Sequence, residues 1–213
     1  MLAIEKKLYK KGITLIAGVD EVGRGPLVGP VVAAAVILPK NYKLKGLNDS
    51  KQVSEKRRDI LYKIIIKEAI AYGIGIVDEK VIDEINILNA AKLAMVKAVK
   101  NLKVKPEYLL IDGNQKINID YEMEAIIKGD SKSLSIAAAS IIAKVTRDSL
   151  MYELDKKYPE YDFKSHKGYA TKKHLANVKK YGLLDSYRFT FKPINDLIKK
   201  GGTREGEIKR THI

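Results

Sequence analysis

Two apolar, β-rich runs near the start of the chain are joined by a loop of glycines and prolines. The runs cover residues 13–20 and 31–38, and the loop at residues 23–30 contains three glycines and two prolines. Runs of this composition are typical of buried strands. Glycine lets the connecting backbone turn sharply and lie close to another molecule. We therefore expect both runs to enter one sheet as neighbouring strands.

The remainder of the chain alternates short apolar runs with helical patterns. We expect strands at residues 70–77, 107–111 and 124–128, and helices starting at Ser54 and covering 85–102, 132–158 and 172–181, with a short one from Pro193. The centre of the long helix, residues 136–145, is small and apolar, so it should pack flat against a sheet. Strands that first adjoin and later alternate with helices predict an α/β fold, a mixed five-stranded sheet with helices on its faces.

Length and composition limit the class of protein. A chain of 213 residues can bury one domain with a small appendage. It contains no cysteine, which excludes disulfides and thiolate metal sites. The first residues lack the apolar core of a signal peptide. The longest apolar run, residues 27–38, is too short to span a bilayer. We expect a cytoplasmic protein without a membrane segment.

Half of the net charge of +14 lies in one short stretch near the C-terminus. Residues 164–192 contain eight Lys or Arg and a single acid, Asp185, interleaved with aromatic and histidine side chains. Positive charge combined with rings that can stack suits nucleic acid better than a small anion. A solvated, lysine-rich helix face is the alternative explanation.

Three of the expected strands end in acids. Asp20 and Glu21 end the first strand, Asp112 the fourth and Asp130 the fifth. Ligand sites in open α/β sheets lie outside the carboxyl ends of the strands. Carboxylates that converge there repel one another unless cations neutralise them, and oxygen ligands of this kind select Mg²⁺ or Mn²⁺. Two such ions about 4 Å apart can activate a water and stabilise a leaving oxygen in phosphodiester hydrolysis.

Each acid also has a structural explanation. Asp20 and Glu21 can be a solvated strand end before a flexible turn. Asp112 can open a turn with the Gly-Asn that follows it, and Asp130 can cap the next helix. Other chemistries lack their signatures, because the glycine loop has no Gly-Lys-Ser/Thr and the chain has no Gly-x-Ser-x-Gly. Taken together with the basic stretch, the acids favour a metal site.

Four separated motifs follow one another along the chain. They are Gly18-Val-Asp20-Glu21-Val-Gly-Arg-Gly, Leu47-Asn-Asp-Ser-Lys51, Lys128-Gly-Asp130-Ser-Lys with the helix running on to Lys144-Val-Thr-Arg147-Asp148, and His166-Lys167-Gly168-Tyr169-Ala170-Thr171. In this order they resemble the motifs of the ribonuclease HII family, the type 2 ribonuclease H, over residues 16–193. Ala170 stands where the family usually has glycine, and residues 187–191 match its C-terminal motif only loosely.

The resemblance implies a ribonuclease H-like fold with a small C-terminal helical part. It also implies an endonuclease that hydrolyses the RNA strand of RNA–DNA hybrids and cuts at ribonucleotides embedded in duplex DNA, leaving 5′-phosphate and 3′-hydroxyl ends. Two divalent cations, Mn²⁺ or Mg²⁺, would act with four catalytic, metal-binding acids, Asp20, Glu21, Asp112 and Asp130.

The same resemblance implies substrate contacts and a division of the chain. The backbone of Gly23, Arg24 and Gly25 would contact ribose 2′-hydroxyls, the group that distinguishes RNA from DNA. Tyr169 would lie at the RNA–DNA junction. Further phosphate contacts are expected from Lys51, Lys167 and Thr171. We expect a monomer with a catalytic core at 1–160, a basic nucleic-acid-binding helical segment at 161–200 and a disordered tail at 201–213.

Two other functions stay open at this point. A nuclease with the same metal site could act on DNA junctions, and cleavage of all-DNA substrates would distinguish it. A non-catalytic nucleic-acid-binding module could carry the acids for structural reasons only. In that case Asp20→Asn and Asp130→Asn would leave its behaviour unchanged, apart from tighter DNA binding.

Overall fold

The structure is a computed structural model that describes residues 1–44 and 53–199. The strands are β1 (Ile16–Val22), β2 (Val31–Ile37), β3 (Ala71–Val77), β4 (Tyr108–Asp112) and β5 (Met123–Ile126). The α-helices are α1 (Ala3–Lys10), α2 (Glu55–Glu68), α3 (Glu79–Lys100), α4 (Leu134–Lys157), α5 (Phe163–His166), α6 (Lys172–Tyr181) and α7 (Ile194–Lys199). One-turn 3₁₀ helices form at Gly129–Ser131 and Pro159–Tyr161.

The strands form one mixed sheet in the order β3-β2-β1-β4-β5. The pairs β1–β2 and β2–β3 are antiparallel, whereas β1–β4 and β4–β5 are parallel. The prediction of a mixed five-stranded sheet is therefore confirmed. Strand β1 lies at the centre, with an antiparallel neighbour on one side and a parallel neighbour on the other. Its residues thus meet the carboxyl end of β4, where Val19 pairs with Ile111.

The side-chain alternation of the central strands divides the core between the two faces of the sheet. Val19, Ala33 and Ala35 pack with α3 on one face. Ala34 and Val36 pack with α2 and α4 on the other. The absence of a side chain at Gly18 lets the first turn of α4 lie directly on β1, because a Cβ there would approach the carbonyl carbon of Ser135 to 2.1 Å. Helix α4 is thereby held against the strand that carries Asp20.

The C-terminal helices share a smaller apolar cluster of their own. Tyr161, Phe163 and Tyr187 are buried in it together with Leu27 and Val28 from the glycine loop. The basic segment is thus attached to the sheet through that loop. The division at residue 160 stays a prediction, and the expected tail after residue 200 lies outside the described residues. In the two stretches that the structure describes, no helix is long and apolar enough to cross a membrane.

Several elements differ from the sequence prediction. Helix α1, which was not predicted, precedes β1 and buries Leu8 and Glu5. Strand β1 continues to Val22, so Asp20 and Glu21 lie just inside the end of the strand instead of forming its end. Helix α3 begins at Glu79, six residues earlier than expected.

The start of α4 also corrects the alternative role of Asp130. Ser133 is the N-cap of this helix, and its Oγ accepts a hydrogen bond from the Ile136 amide at 3.2 Å. Asp130 lies in the one-turn 3₁₀ helix before it. Asp130 is therefore not the N-cap of α4, and the prediction of an N-cap role for this acid is wrong.

Candidate active site

Three acids lie together on the two central parallel strands. Asp20 and Glu21 come from β1, and Asp112 is the last residue of β4, one step beyond the pair Val19–Ile111. They line a cleft of about 390 Å³, together with Val22, Arg58, Ser140, Lys144 and Tyr169. Asp20 is only 6% exposed, so its carboxylate is largely removed from water.

The environment of this cleft opposes negative charge. Burial raises the pKa of Asp20 well above its ordinary value, and the charges of Glu21 and Asp112 raise it further. Hydrogen bonds from the Ser140 side chain and from the Glu21 amide, at 2.8 Å, act in the opposite direction. The pKa of Glu21 is also raised, mainly by burial, although Arg24 at 3.3 Å favours the charged form. A cation would relieve this accumulation of like charge.

The fit of a divalent cation rests on one buried atom. Glu21 Oε2 is buried and has no hydrogen-bond partner within residues 1–44 and 53–199. A buried carboxylate oxygen without a donor costs free energy, and a metal ion supplies the missing partner. The donor set of carboxylate oxygens without cysteine or histidine suits Mg²⁺ or Mn²⁺.

Asp130 lies beside this cluster on the turn that follows β5. The amide of its neighbour Gly129 donates to Asp112 Oδ1 at 2.6 Å, which ties the turn to the end of β4. Asp130 is itself 6% exposed. The four predicted acids are thus brought to one end of the sheet. In the described parts of the chain, however, no three acidic, histidine or cysteine side chains are already grouped closely enough to hold an ion.

Two buried arginines, rather than glycines alone, shape the loop between β1 and β2. Arg188 is fully buried, and its guanidinium donates to the carbonyls of Gly23 (2.7 Å), Arg24 (3.2 Å), Pro26 (2.8 Å) and Gly29 (2.9 Å). Arg147 is also fully buried, and it donates to the carbonyls of Pro30 (3.1 Å), Val28 (3.2 Å) and Lys167 (3.1 Å). These roles were not predicted from the sequence, because no local pattern separates an arginine that binds backbone from one that binds phosphate.

Tyr169 packs against the glycine loop at the edge of the cleft. A Cβ at Gly25 would lie 3.3 Å from Tyr169 Cε1, so the ring rests where a larger residue at position 25 would stand. Tyr169 is 45% exposed. The amide of Leu27 donates to the Gly168 carbonyl at 2.8 Å, which joins the two segments through their backbones. The predicted Gly-Arg-Gly loop and Tyr169 therefore form one surface beside the acids.

The predicted phosphate contacts have different surroundings. Lys51 lies outside the described residues. Lys167 Nζ donates to the Lys164 carbonyl at 2.6 Å and lies 3.7 Å from the centre of the Tyr152 ring. Thr171 is the N-cap of α6, and its Oγ1 accepts from the His174 amide at 3.1 Å. The Thr171 hydroxyl thus already has a structural role.

Two cations at the cleft were not predicted from the sequence. Lys144 and Arg58 line it, and both are paired with the buried carboxylate of Asp148, at 2.6 and 3.7 Å. The four-residue spacing of Lys144 and Asp148 on one helix was the available signal. Arg58 comes from α2, which no local pattern could place beside them.

The model of the family described as Ribonuclease HII matches residues 17–194, most of the chain. The chain belongs to the ribonuclease HII family. A curated ribonuclease HII from Bacillus cytotoxicus is 56% identical over 199 residues, which cover 93% of this chain and 76% of that protein. The protein is therefore an endoribonuclease, and its family acts on the RNA strand of RNA–DNA hybrids.

Solved structures share the fold of this chain. The ribonuclease H2 of Pyrococcus horikoshii OT3 is similar with a TM-score of 0.75 at 28% identity, covering 89% of this chain and 99% of that one. Bst ribonuclease HIII, solved in complex with Mn²⁺, is similar with a TM-score of 0.56 at 24% identity, covering 67% of this chain and 55% of that one. The ribonuclease H-like fold and the family assignment made from sequence motifs are confirmed.

Proposed function

We propose that this protein is a metal-dependent endonuclease that also cuts at single ribonucleotides embedded in duplex DNA. Cleavage would leave 5′-phosphate and 3′-hydroxyl ends. The observation that carries the proposal is the position of the Tyr169 ring, which lies 3.3 Å from where a Cβ at Gly25 would stand, beside the cleft of Asp20, Glu21 and Asp112. A surface proposed to recognise ribose would then lie next to carboxylates proposed to hold metal.

Asp20, Glu21, Asp112 and Asp130 would hold two divalent cations, Mg²⁺ or Mn²⁺. When bound, such ions supply charge stabilisation for an attacking water and for the leaving oxygen. The raised pKa of Asp20 and the unpartnered Glu21 Oε2 support this role. The fold relative Bst ribonuclease HIII binds Mn²⁺, in line with a donor set of oxygens.

The Gly-Arg-Gly loop would recognise the ribose 2′-hydroxyl through its backbone. The carbonyls of Gly23 and Arg24 are directed inward to Arg188. In a trans peptide the next N–H points the opposite way, so the amides of Arg24 and Gly25 are directed away from Arg188. Backbone donors held in this way can bind a 2′-hydroxyl, which DNA lacks. Tyr169 would contact the sugar at the junction with DNA.

The basic segment at 161–200 would hold the duplex by its phosphates, and the protein would act as a monomer in the cytoplasm. Lys172 is exposed at the start of α6 and suits this role. Lys51, Lys167 and Thr171 remain proposed phosphate contacts. For Thr171, the contact would have to share a hydroxyl that caps α6.

Cleavage of three labelled duplexes tests the proposal: a uniform RNA–DNA hybrid, a DNA duplex with one ribonucleotide, and an all-DNA duplex, each with Mg²⁺ or Mn²⁺. We expect the first two to be cut and the third to stay intact. Asp20→Asn should cut none of them while keeping its duplex affinity. Cleavage of the all-DNA duplex would support a DNA-junction nuclease instead, and unchanged cleavage by Asp20→Asn would remove the acids from catalysis.

A further inference from the structure

Two buried histidines lie beneath the turn that carries Tyr169. His166 ends α5 and is 8% exposed, whereas His174 lies in α6 and is fully buried. Their rings are stacked, with centroids 4.2 Å apart and planes 15° from parallel. Phe163 meets both rings edge-on, at 5.8 and 5.7 Å. Neither histidine has a role in the proposed reaction.

The hydrogen bonds of the pair fix where each proton sits. His166 Nδ1 accepts from the Gly168 amide at 3.1 Å, so the ring proton lies on Nε2, which donates to the Tyr161 carbonyl at 2.9 Å. His174 Nδ1 faces the Tyr169 carbonyl at 2.8 Å and must therefore donate. Its Nε2 is then free to accept from the Tyr187 hydroxyl at 2.7 Å. His166 therefore carries a single ring proton, and a neutral His174 satisfies both of its partners with one donor and one acceptor.

These bonds hold the backbone on both sides of the Tyr169 side chain. His166 binds the amide of Gly168 through its ring, and its own carbonyl accepts from the Tyr169 amide at 2.9 Å. His174 binds the Tyr169 carbonyl. The peptide groups before and after the Tyr169 Cα are thus both held from below, while the ring itself rests beside Gly25.

The surroundings keep the pair neutral. Burial lowers the pKa of both rings, that of His174 to about 4. The charged groups that face His166 are Asp155 on α4 and Asp162 before α5, which raise its pKa, and Lys173 on α6, which lowers it. A second proton on His166 would occupy Nδ1, where it would face the N–H of Gly168. Two donors cannot bind each other, so a charged His166 ring could not keep this contact.

We propose that His166 and His174 are positioning residues that fix Tyr169 against Gly25 and thereby set the preference of the enzyme for RNA–DNA junctions over uniform hybrids. This inference rests on the junction role proposed for Tyr169. A uniform hybrid places no junction at the ring, so displacement of Tyr169 should affect cleavage at an embedded ribonucleotide more than cleavage within a hybrid.

Two variants of one histidine separate positioning from packing. The amide nitrogen of His174→Asn takes the place of Nδ1 and keeps the donor to the Tyr169 carbonyl. His174→Gln places its amide near Nε2, which keeps a partner for the Tyr187 hydroxyl but loses the Tyr169 bond. Both variants lose the stacked ring, so urea unfolding should show a lower free energy of unfolding for both. The measured quantity is the ratio of kcat/KM on a single-ribonucleotide duplex to kcat/KM on a uniform hybrid.

We expect His174→Gln to lower this ratio about tenfold and His174→Asn to stay within about twofold of the wild type, since a small displacement of a contacting group can cost that much. In a Tyr169→Ala background, His174→Gln should have no further effect, because the group on which it acts is gone. Equal ratios for the two variants, or a further loss in the Tyr169→Ala background, would overturn the inference alone. A wild-type protein that cuts hybrids but shows no embedded-ribonucleotide activity would instead overturn the junction role of Tyr169, and the inference with it.

The wild-type protein provides a test that does not depend on a variant folding. Long-range ¹H–¹⁵N spectra of the imidazole rings at pH 7 should show the proton of His166 on Nε2 and that of His174 on Nδ1. The opposite tautomer on either ring, or a doubly protonated ring, contradicts the hydrogen bonds from which the inference is drawn.

Discussion

Arg188→Lys should lower the free energy of unfolding substantially, although the substitution conserves the positive charge. Arg188 is fully buried, and it donates to four backbone carbonyls of one loop from a position 159 or more residues away in sequence. Burial lowers the pKa of this guanidinium to about 9, so it is charged at neutral pH. Lysine presents a compact ammonium with three donors and cannot match the planar fork of arginine.

The magnitude follows from the carbonyls that are left without a donor. If the ammonium reaches two of the four acceptors, two buried carbonyls lose their partners, at about 1–3 kcal/mol each. We therefore expect a loss of about 3 kcal/mol in the free energy of unfolding. In a chain of this size that corresponds to a fall of roughly 6–12 °C in Tm.

Urea unfolding and calorimetry measure this loss, with Arg57→Lys as the matched control. Arg57 is exposed on α2, so its replacement should change the free energy of unfolding by no more than about 0.5 kcal/mol. An Arg188→Lys protein as stable as this control would refute the reasoning, since it would show that the four carbonyls do not depend on the guanidinium. Cleavage at an embedded ribonucleotide should fall as well, because the same carbonyls orient the proposed 2′-hydroxyl donors.

Three other outcomes are expected. Asp20→Asn should stabilise the metal-free protein, because it removes a buried carboxyl whose charge is disfavoured by burial and by Glu21 and Asp112, and urea unfolding measures the difference. Mn²⁺ should raise the Tm of the wild type but not of the variant, as thermal unfolding with and without the ion would show. The pKa of His174 is lowered to about 4, so below pH 6.5 the unfolded state binds a proton that the folded state does not. Urea unfolding should show the free energy of unfolding falling by about 1–2 kcal/mol between pH 6.5 and 5, and by less in His174→Asn. The affinity for a duplex should fall steeply as the salt concentration rises. Lys172 is exposed, and Lys172→Ala should reduce the slope of the logarithm of the binding constant against the logarithm of the salt concentration by about 1. A slope equal to that of the wild type would exclude Lys172 from the phosphate contacts.

The sequence predicted the sheet well because strand composition and order are local signals. Asp20 and Glu21 were predicted to end β1. The strand in fact continues past them to Val22, because β2 pairs with it as far as Val32. Strand pairing of this kind is a tertiary effect that glycine content alone does not reveal. Helix α1 is short and polar, and the four-residue spacing of Ile4 and Leu8 was its one apolar signal.

The parts of the candidate site that the sequence could not predict depend on distant partners. Arg188 reaches Gly29, and Arg147 reaches Pro30 over 117 residues, so only the folded chain shows that both hold the glycine loop. The two histidines beneath Tyr169 likewise acquire their roles only in the folded chain. Their spacing of eight residues does not indicate stacking, which the turn between α5 and α6 produces.

The central claim is that an acidic, metal-binding cleft adjoins a loop that recognises the ribose 2′-hydroxyl. The most direct measurement is single-turnover cleavage of a DNA duplex with one ribonucleotide, compared with the identical duplex carrying a 2′-fluoro group at that sugar. A site that donates hydrogen bonds to a hydroxyl should discriminate strongly against its replacement, so we predict cleavage at least about 100-fold slower with fluorine. Equal rates on the two duplexes would contradict the account, because cleavage would then not depend on the group that the Gly-Arg-Gly loop is proposed to bind.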